Sequence, residues 1–163
     1  MNRIDKKNYY LDIAQTVAER GTCIRRLFGA VIVKNDSIIS TGYAGAPRQR
    51  VNCCDLGECL REKLKIPAGE RYELCRSVHA EANAIIAASR EEMIGATLYL
   101  ACISPKTGEI MSGTSCCSMC RRLVINAGIE TVIVRDTKTE YRVIDVMKDW
   151  VENDDSLDRK SGY

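Results

Sequence analysis

Two short motifs contain the side chains best suited to metal chemistry. One is His-Ala-Glu at residues 79–81, and the other is Cys-Ser-Met-Cys at residues 117–120. Each begins a predicted helix, where the helix dipole favours thiolates, so two sulfurs and one imidazole can point at a single ion. Zinc prefers four ligands in a tetrahedron, so three protein ligands leave one position for water. His79, Cys117 and Cys120 are therefore predicted to hold a catalytic zinc.

Glu81 lies two residues beyond the histidine, too close to be an easy fourth ligand. It is placed instead to move protons to and from the bound water, whose pKa zinc lowers to about 7. Hydroxide and a proton shuttle suit hydrolytic removal of an exocyclic amine. His-x-Glu followed by Pro-Cys-x-x-Cys is typical of zinc deaminases, in which the glutamate stays off the metal.

Structural alternatives exist for each motif. A lone Cys-x-x-Cys more often marks a structural zinc or a redox pair. A closed structural site would need a fourth ligand, for which Cys116 is the nearby candidate. The two motifs occur together, and His79 is the chain's one histidine, so the pattern favours the open catalytic site.

The elements around the motifs alternate between helix and strand. This order predicts a three-layer α/β domain with a mixed sheet. The pattern predicts four strands, two of them in a hairpin, and a long loop that metal ligation would tie down. The predicted helices are 4–20, 59–65, 78–90, 117–127 and 143–151, the strands are 27–33, 38–43, 96–102 and 129–135, the long loop is 45–71, and the tail 153–163 is expected to fray.

Composition sets broad limits on function. The chain has 163 residues, which predicts one domain spanning 1–163 with its core at about 8–150. No apolar run or signal core is evident, which favours a cytoplasmic location and no membrane partner. The net charge of +2 is too small to favour a nucleic-acid partner. Nine cysteines, an odd number, indicate metal binding rather than a disulfide framework.

Four segments resemble the deoxycytidylate (dCMP) deaminase family, over about residues 8–136. They are residues 23–33, 41–47, 74–85 and 117–129. The resemblance implies a cytidine-deaminase-like α/β/α fold with a mixed five-stranded sheet, the fifth strand being absent from the pattern. It also implies zinc-dependent conversion of dCMP to dUMP and ammonia, a homo-oligomer with a hexamer favoured, and dCTP and dTTP as effectors.

The resemblance further implies a second, structural zinc that holds the long loop in place. Carried over, its ligands fall on Cys23, Cys53 and Cys75, with Cys59 as the natural fourth. Cys54 is adjacent to Cys53 and is a substitute for it.

Three departures from the family bear on function. Cys116 replaces the proline that usually precedes Cys-x-x-Cys, a change that the metal site should survive because proline there only pre-sets the backbone. Ala44 replaces the usual asparagine, which leaves the exact substrate and the allostery open. The loop 104–115 is longer than usual and is predicted to lie over the substrate mouth.

Candidate nucleotide contacts complete the predicted site. Arginines suit phosphate because their donors are planar, although a solvated face is the commoner role of any single one. The candidates for phosphate are Arg25, Arg26, Arg48, Arg76, Arg90 and Arg121; those for substrate are Ala44, Ala80 and Arg48; and those for a regulatory nucleotide are Arg90, Gly42 and Tyr43.

Three other functions remain open. The first is deamination of another small nucleoside, nucleotide or base, such as cytidine, guanine or a pyrimidine intermediate. The second is editing of adenosine in tRNA, which the near-neutral charge disfavours. The third is a non-catalytic zinc-stabilised interaction module, which the intact Glu81 disfavours because a structural site needs no proton shuttle.

Overall fold

A computed structural model describes residues 1–158 and shows one mixed five-stranded sheet. The strand order is β2-β1-β3-β4-β5. β3 and β4 run parallel, and the other neighbouring pairs are antiparallel. The five-stranded sheet is confirmed, and with it the α/β class. The strands are β1 (Leu27–Lys34), β2 (Ser37–Tyr43), β3 (Thr97–Ile103), β4 (Thr131–Arg135) and β5 (Tyr141–Asp145).

Helices cover both faces of the sheet and form the outer layers. α1 packs on one face through Leu11 and Ala14, and α4 and α6 pack on the other through residues such as Ala84 and Val124. Alternate residues of the buried strands supply both cores, as the period of two requires. The helices are α1 (Lys6–Ala18), α2 (Cys53–Leu56), α3 (Leu60–Lys63), α4 (Ala80–Ile86), α5 (Arg90–Met93) and α6 (Ser118–Ala127).

Helices α4 and α6 begin at the same end of the sheet. The crossover between β3 and β4 positions α6, and close packing on β2 positions α4. α6 crosses from β3 to the parallel strand β4, and it ends at Gly128, whose φ of 81° is left-handed. α4 lies close against β2 because Gly42 has no side chain there. A Cβ on Gly42 would lie 2.4 Å from the Ala80 carbonyl oxygen and 2.4 Å from the Ala84 nitrogen. This close approach sets where α4 starts.

Two predicted helices need correction. The helix predicted over 78–90 ends at Ile86, because Ser89 and Glu92 form a capping box that starts α5 separately. The helix predicted over 143–151 is wrong in its first residues, since Tyr141–Asp145 pair with β4 as the fifth strand. A π-helical segment, Val146–Glu152, follows, and the Asp145 side chain caps it by accepting from the Lys148 N–H.

The remaining connections hold little regular structure. The predicted loop 45–71 contains the short helices α2 and α3, and a 3₁₀ turn, Tyr72–Leu74, leads into α4. A second 3₁₀ turn covers Asp155–Asp158, and the rest of the predicted frayed tail, 159–163, lies outside the described residues. Within residues 1–158, no helix is both long and apolar enough to cross a bilayer.

Candidate metal and catalytic centre

The starts of α4 and α6 bring together three potential metal ligands. His79 is the N-cap residue of α4, and Cys117 is the N-cap residue of α6. The His79 Nδ1 atom lies 3.4 Å from the Cys117 Sγ and 3.4 Å from the Cys120 Sγ. The Cys117 sulfur also accepts the Cys120 backbone N–H at 3.4 Å, which fixes its direction relative to the helix.

The spacing of these three atoms fits zinc. Zn–S bonds of about 2.3 Å and Zn–N bonds of about 2.0 Å, set at tetrahedral angles, place nitrogen and sulfur about 3.6 Å apart. Across residues 1–158, this is the one group of three or more His, Cys, Asp or Glu residues whose ligand atoms all lie within 4.8 Å of one another. One imidazole and two thiols leave a tetrahedral ion one further position.

Hydrogen bonds among the three side chains and their burial shift the pKa of each member of the trio. The hydrogen bond from the Cys120 thiol lowers the pKa of Cys117, and His79 lowers it further. The same hydrogen bond and burial raise the pKa of Cys120. Burial alone lowers the pKa of His79, but hydrogen bonds with Cys117 and Cys75 outweigh it and raise that pKa. Without a metal, the trio therefore favours a thiolate on Cys117 alone, and His79 and Cys120 must each give up a proton to bind an ion.

Glu81 lies in the first turn of α4 and is only 3% exposed. Burial raises the pKa of its carboxyl group. The carboxylate is outside the ligand trio, although it lines the same cavity as His79 and Cys117. A buried carboxyl beside a metal site, with a raised pKa, is suited to accept and return a proton near neutral pH.

Cys116 also stays outside the trio. It is 3% exposed and belongs to the core between the sheet and the helices α4 and α6. Burial raises the pKa of its thiol well above the usual value, and the nearby Glu81 adds to the effect. Its sulfur is not among the ligand atoms that lie within 4.8 Å of one another, and within residues 1–158 no fourth cysteine joins that group.

A cavity of about 180 Å³ opens onto this centre. Two of the predicted substrate contacts, Ala44 and Ala80, line it, as do Arg25 and Arg26 before β1. From the loop 104–115, predicted to cover the substrate mouth, Ser115 is the residue that lines it. Asp136 draws the preceding part of that loop toward the end of β4, by accepting the Gly113 N–H at 2.9 Å.

The remaining predicted nucleotide contacts lie outside the cavity lining. Arg48 is exposed, and the Arg76 Nε donates to the Val51 carbonyl at 2.6 Å. Arg90 donates to the Asn126 carbonyl at 2.9 Å, and Arg121 to that of Cys116 at 3.2 Å. Gly42 packs against α4. The Tyr43 carbonyl accepts from Asn83, so both residues position α4.

The cysteines predicted to bind a second zinc are near one another but not clustered. Cys23, Cys59 and Cys75 line the cavity. Cys53 is buried, and burial and its neighbours Cys23, Cys75 and Cys59 raise its thiol pKa. In the described part of the chain, no three of these sulfurs lie within 4.8 Å of one another. Cys54 is exposed, with its sulfur 3.8 Å from the Asp55 carboxylate.

Sequence reasoning missed five residues that line the cavity: Phe28, Arg61, Ala68, Tyr72 and Ser77. Arg61 is 5% exposed, and its guanidinium carbon lies 4.4 Å from the Tyr72 ring centroid. Tyr72 in turn packs edge-to-face on the His79 ring, with centroids 5.2 Å apart. Arg61 lies in the four-residue helix α3, and Tyr72 begins a 3₁₀ turn. Elements this short show no periodicity, so no pattern in the sequence singles these two residues out.

Comparisons with known proteins agree on the class of protein. The family described as "Cytidine and deoxycytidylate deaminase zinc-binding region" matches residues 4–136. A deoxycytidylate deaminase of Mycobacterium phage D29 is 38% identical over 82% of this chain and 96% of its own length. One from Schizosaccharomyces pombe is 32% identical over 77% of this chain and 35% of its own length. The crystal structure of dCMP deaminase from the cyanophage S-TIM5 matches at a TM-score of 0.58 and 25% identity, covering 83% of this chain and 86% of that one.

Proposed function

The chain belongs to the cytidine and deoxycytidylate deaminase family, and from this premise we propose that it hydrolyses dCMP to dUMP and ammonia. One observation carries the proposal: a His-Cys-Cys trio with zinc spacing shares a cavity with the buried carboxyl of Glu81. The phage D29 relative, which has this activity in its name, matches nearly end to end.

The residues present fit catalytic zinc, and they divide the chemistry between them. His79, Cys117 and Cys120 would hold the ion. Zinc, when bound, makes water nucleophilic near neutral pH. Glu81 takes a proton as water adds to C4 of the cytosine and delivers it to N3. It then takes the proton of the new C4 hydroxyl and delivers it to the exocyclic nitrogen. The C4–O bond forms, the C4–N bond breaks, and ammonia leaves.

Arg26 is the arginine we assign to the substrate phosphate. It lines the cavity, is exposed, and makes no hydrogen bond or ion pair with any residue in the range 1–158. The other two cavity arginines are engaged: Arg25 lies 2.9 Å from Glu62, and Arg61 donates to the carbonyls of Pro67 and Glu70. A phosphate dianion needs a free planar donor, and Arg26 offers one.

The test measures ammonia release from dCMP and from deoxycytidine. Wild type should turn over dCMP much faster. Arg26→Gln should reduce kcat/KM for dCMP by about tenfold to a hundredfold, the effect of one charge-assisted hydrogen bond, and leave deoxycytidine unchanged. Arg48→Gln, an exposed arginine outside the cavity, is the control. Equal wild-type rates for the two substrates would favour the cytidine-type alternative, and no release from either would reject the proposal.

We also propose a second, structural zinc on Cys23, Cys53, Cys59 and Cys75. Its support is the family resemblance, the presence of Cys23, Cys59 and Cys75 in the cavity lining, and the effect of these three thiols on the pKa of Cys53. The sulfurs must draw closer together to bind an ion. Metal analysis should give about two zinc ions per wild-type chain, and about one for Cys23→Ser. One zinc per wild-type chain would reject the site.

The remaining proposals concern assembly, regulation and location. A homo-oligomer, with a hexamer favoured, rests on the family resemblance, and the exposed apolar residues Ile86 on α4 and Leu123 on α6 are available to a contact between copies. Sedimentation would measure its mass. Adding dCTP or dTTP at low dCMP concentration would test regulation, with Arg90→Ala as the variant. We propose that the chain forms a single domain. A cytoplasmic location agrees with its nine cysteines, which are all free.

A further inference from the structure

The cysteine-rich segment between β2 and α4 reaches the metal centre through a stack of three side chains. The Arg61 guanidinium carbon lies 4.4 Å from the centroid of the Tyr72 ring. The Tyr72 and His79 rings meet at 81°, with their centroids 5.2 Å apart, which is edge-to-face packing. Arg61, Tyr72 and His79 therefore follow one another from the segment to the metal ligand.

The far end of the stack is firmly anchored. Arg61 is 5% exposed, and its guanidinium donates to the carbonyls of Glu70 and Pro67 at 2.7 and 2.8 Å. These bonds tie α3 to the turn that precedes Tyr72. Arg71 has a left-handed backbone with a φ of 52°, and it caps the 3₁₀ turn that begins with Tyr72. The Tyr72 ring is therefore held from both the guanidinium side and the backbone side.

The near end of the stack is the imidazole that faces the two sulfurs. His79 uses Nδ1 toward Cys117 and Cys120, so a small rotation of its ring would move that atom off the shared position. Groups that hydrogen-bond to a metal ligand from outside fix its orientation, and their loss typically weakens metal affinity about 10–100-fold. A ring packed on the imidazole restrains the same rotation. Ring packing of this kind adds rigidity without contributing a ligand.

We propose that Arg61 and Tyr72 are positioning residues that hold the His79 imidazole in its metal-binding orientation. The cysteine-rich segment then does more than border the cavity, because its packing sets the affinity of the catalytic ion. This inference rests on the proposed zinc site. It is independent of which nucleotide the enzyme accepts.

The test uses metal readouts on the full chain. Tyr72→Leu removes the ring, Tyr72→Phe retains it, and Arg61→Met removes the cation and retains bulk. Tyr9→Leu is the matched control, because Tyr9 packs on Tyr10 with centroids 5.0 Å apart and at 62°, in the helix on the opposite face of the sheet. The first readout is the rate of zinc release to a chromogenic chelator. The second is the visible spectrum after Co²⁺ substitution.

We expect Tyr72→Leu to release the catalytic zinc about tenfold faster or more and to change the Co²⁺ spectrum. Tyr72→Phe and Tyr9→Leu should release zinc at the wild-type rate and give the wild-type spectrum. Arg61→Met should release zinc at a rate between those of wild type and Tyr72→Leu. Subtracting the spectrum of Cys117→Ser isolates the catalytic metal from any second one. Wild-type release rates and spectra in both Tyr72→Leu and Arg61→Met would overturn the proposal. If Tyr72→Leu does not fold, Arg61→Met decides alone. Failure to deaminate dCMP would leave these readouts unaffected.

Discussion

Replacing Gly42 with alanine tests whether the seating of α4 on β2 controls catalysis. The added Cβ would lie 2.4 Å from both the Ala80 carbonyl oxygen and the Ala84 nitrogen, whereas ordinary contact begins at 3.4 Å. Since hydrogen bonds hold β2 to β1, α4 must retreat by about 1 Å. His79 and Glu81 stand at the start of this helix and would move with it. A displacement of about 1 Å costs about 100-fold in turnover.

The assay compares kcat per folded, zinc-loaded chain with the free energy of unfolding. Gly29→Ala is the matched control, because its Cβ would lie 2.1 Å from the Ala14 carbonyl oxygen in α1, a helix that carries no site residue. Both variants should lose about 1–3 kcal/mol of stability through overpacking. Gly42→Ala should lose turnover, and Gly29→Ala should retain most of it. Wild-type kcat in Gly42→Ala, or equal losses in both variants, would refute the reasoning.

Three further substitutions test other parts of the structure. Glu81→Gln should retain zinc by metal analysis but lose about 10²–10⁴-fold in kcat, and full activity would remove the proton shuttle. Asp136→Asn should destabilise the protein at pH 7, since the hydrogen bond with Arg142 lowers the pKa of this carboxyl. The wild-type advantage in urea melts should shrink as pH falls below 3.8, the ordinary value. Arg135→Ala should lower the unfolding free energy by about 3 kcal/mol, because Arg135 is buried and bonds to Asn8 and Asp12 of α1. Because Arg135 lies outside the catalytic cavity, kcat should change little.

The grouping of His79, Cys117 and Cys120 was predictable from sequence because each of these side chains has a local determinant. A helix start fixes the direction of its cap residue, and Cys117 and Cys120 belong to one helix turn. The alternation of helices and strands, together with the buried strand patterns, likewise predicted the three-layer α/β arrangement. Only the meeting of His79 with the two sulfurs needed tertiary structure, and the occurrence of both motifs in one chain indicated it.

The rest of the site depends on contacts that no local pattern encodes. Arg26 and Arg25 are adjacent and alike in sequence, and Glu62 pairs with one of them from a distant helix. Tyr72 packs on His79 because the chain turns at Arg71, which has a left-handed backbone. Since Arg71 is not a glycine, its residue type does not reveal the turn. The fifth strand was missed for a different reason. Tyr141, Val143 and Ile144 are strand formers, but the strand is short and runs directly into a helical segment, and only its pairing with β4 separates the two.

Cys116 shows why the family's proline is dispensable here. Proline before the Cys-x-x-Cys motif would restrain the backbone as the helix begins. In this chain, burial of Cys116 restrains the same position, and its carbonyl accepts from the Arg121 Nε at 3.2 Å. Arg121 lies over the Trp150 ring at 5.3 Å, which links the motif to the π-helical segment. Because Cys117 has an extended cap conformation, with φ −68° and ψ 164°, and its sulfur bonds to the Cys120 N–H, the helix start itself aims both sulfurs. The substitution at position 116 therefore changes how the backbone is held and leaves the ligand geometry in place.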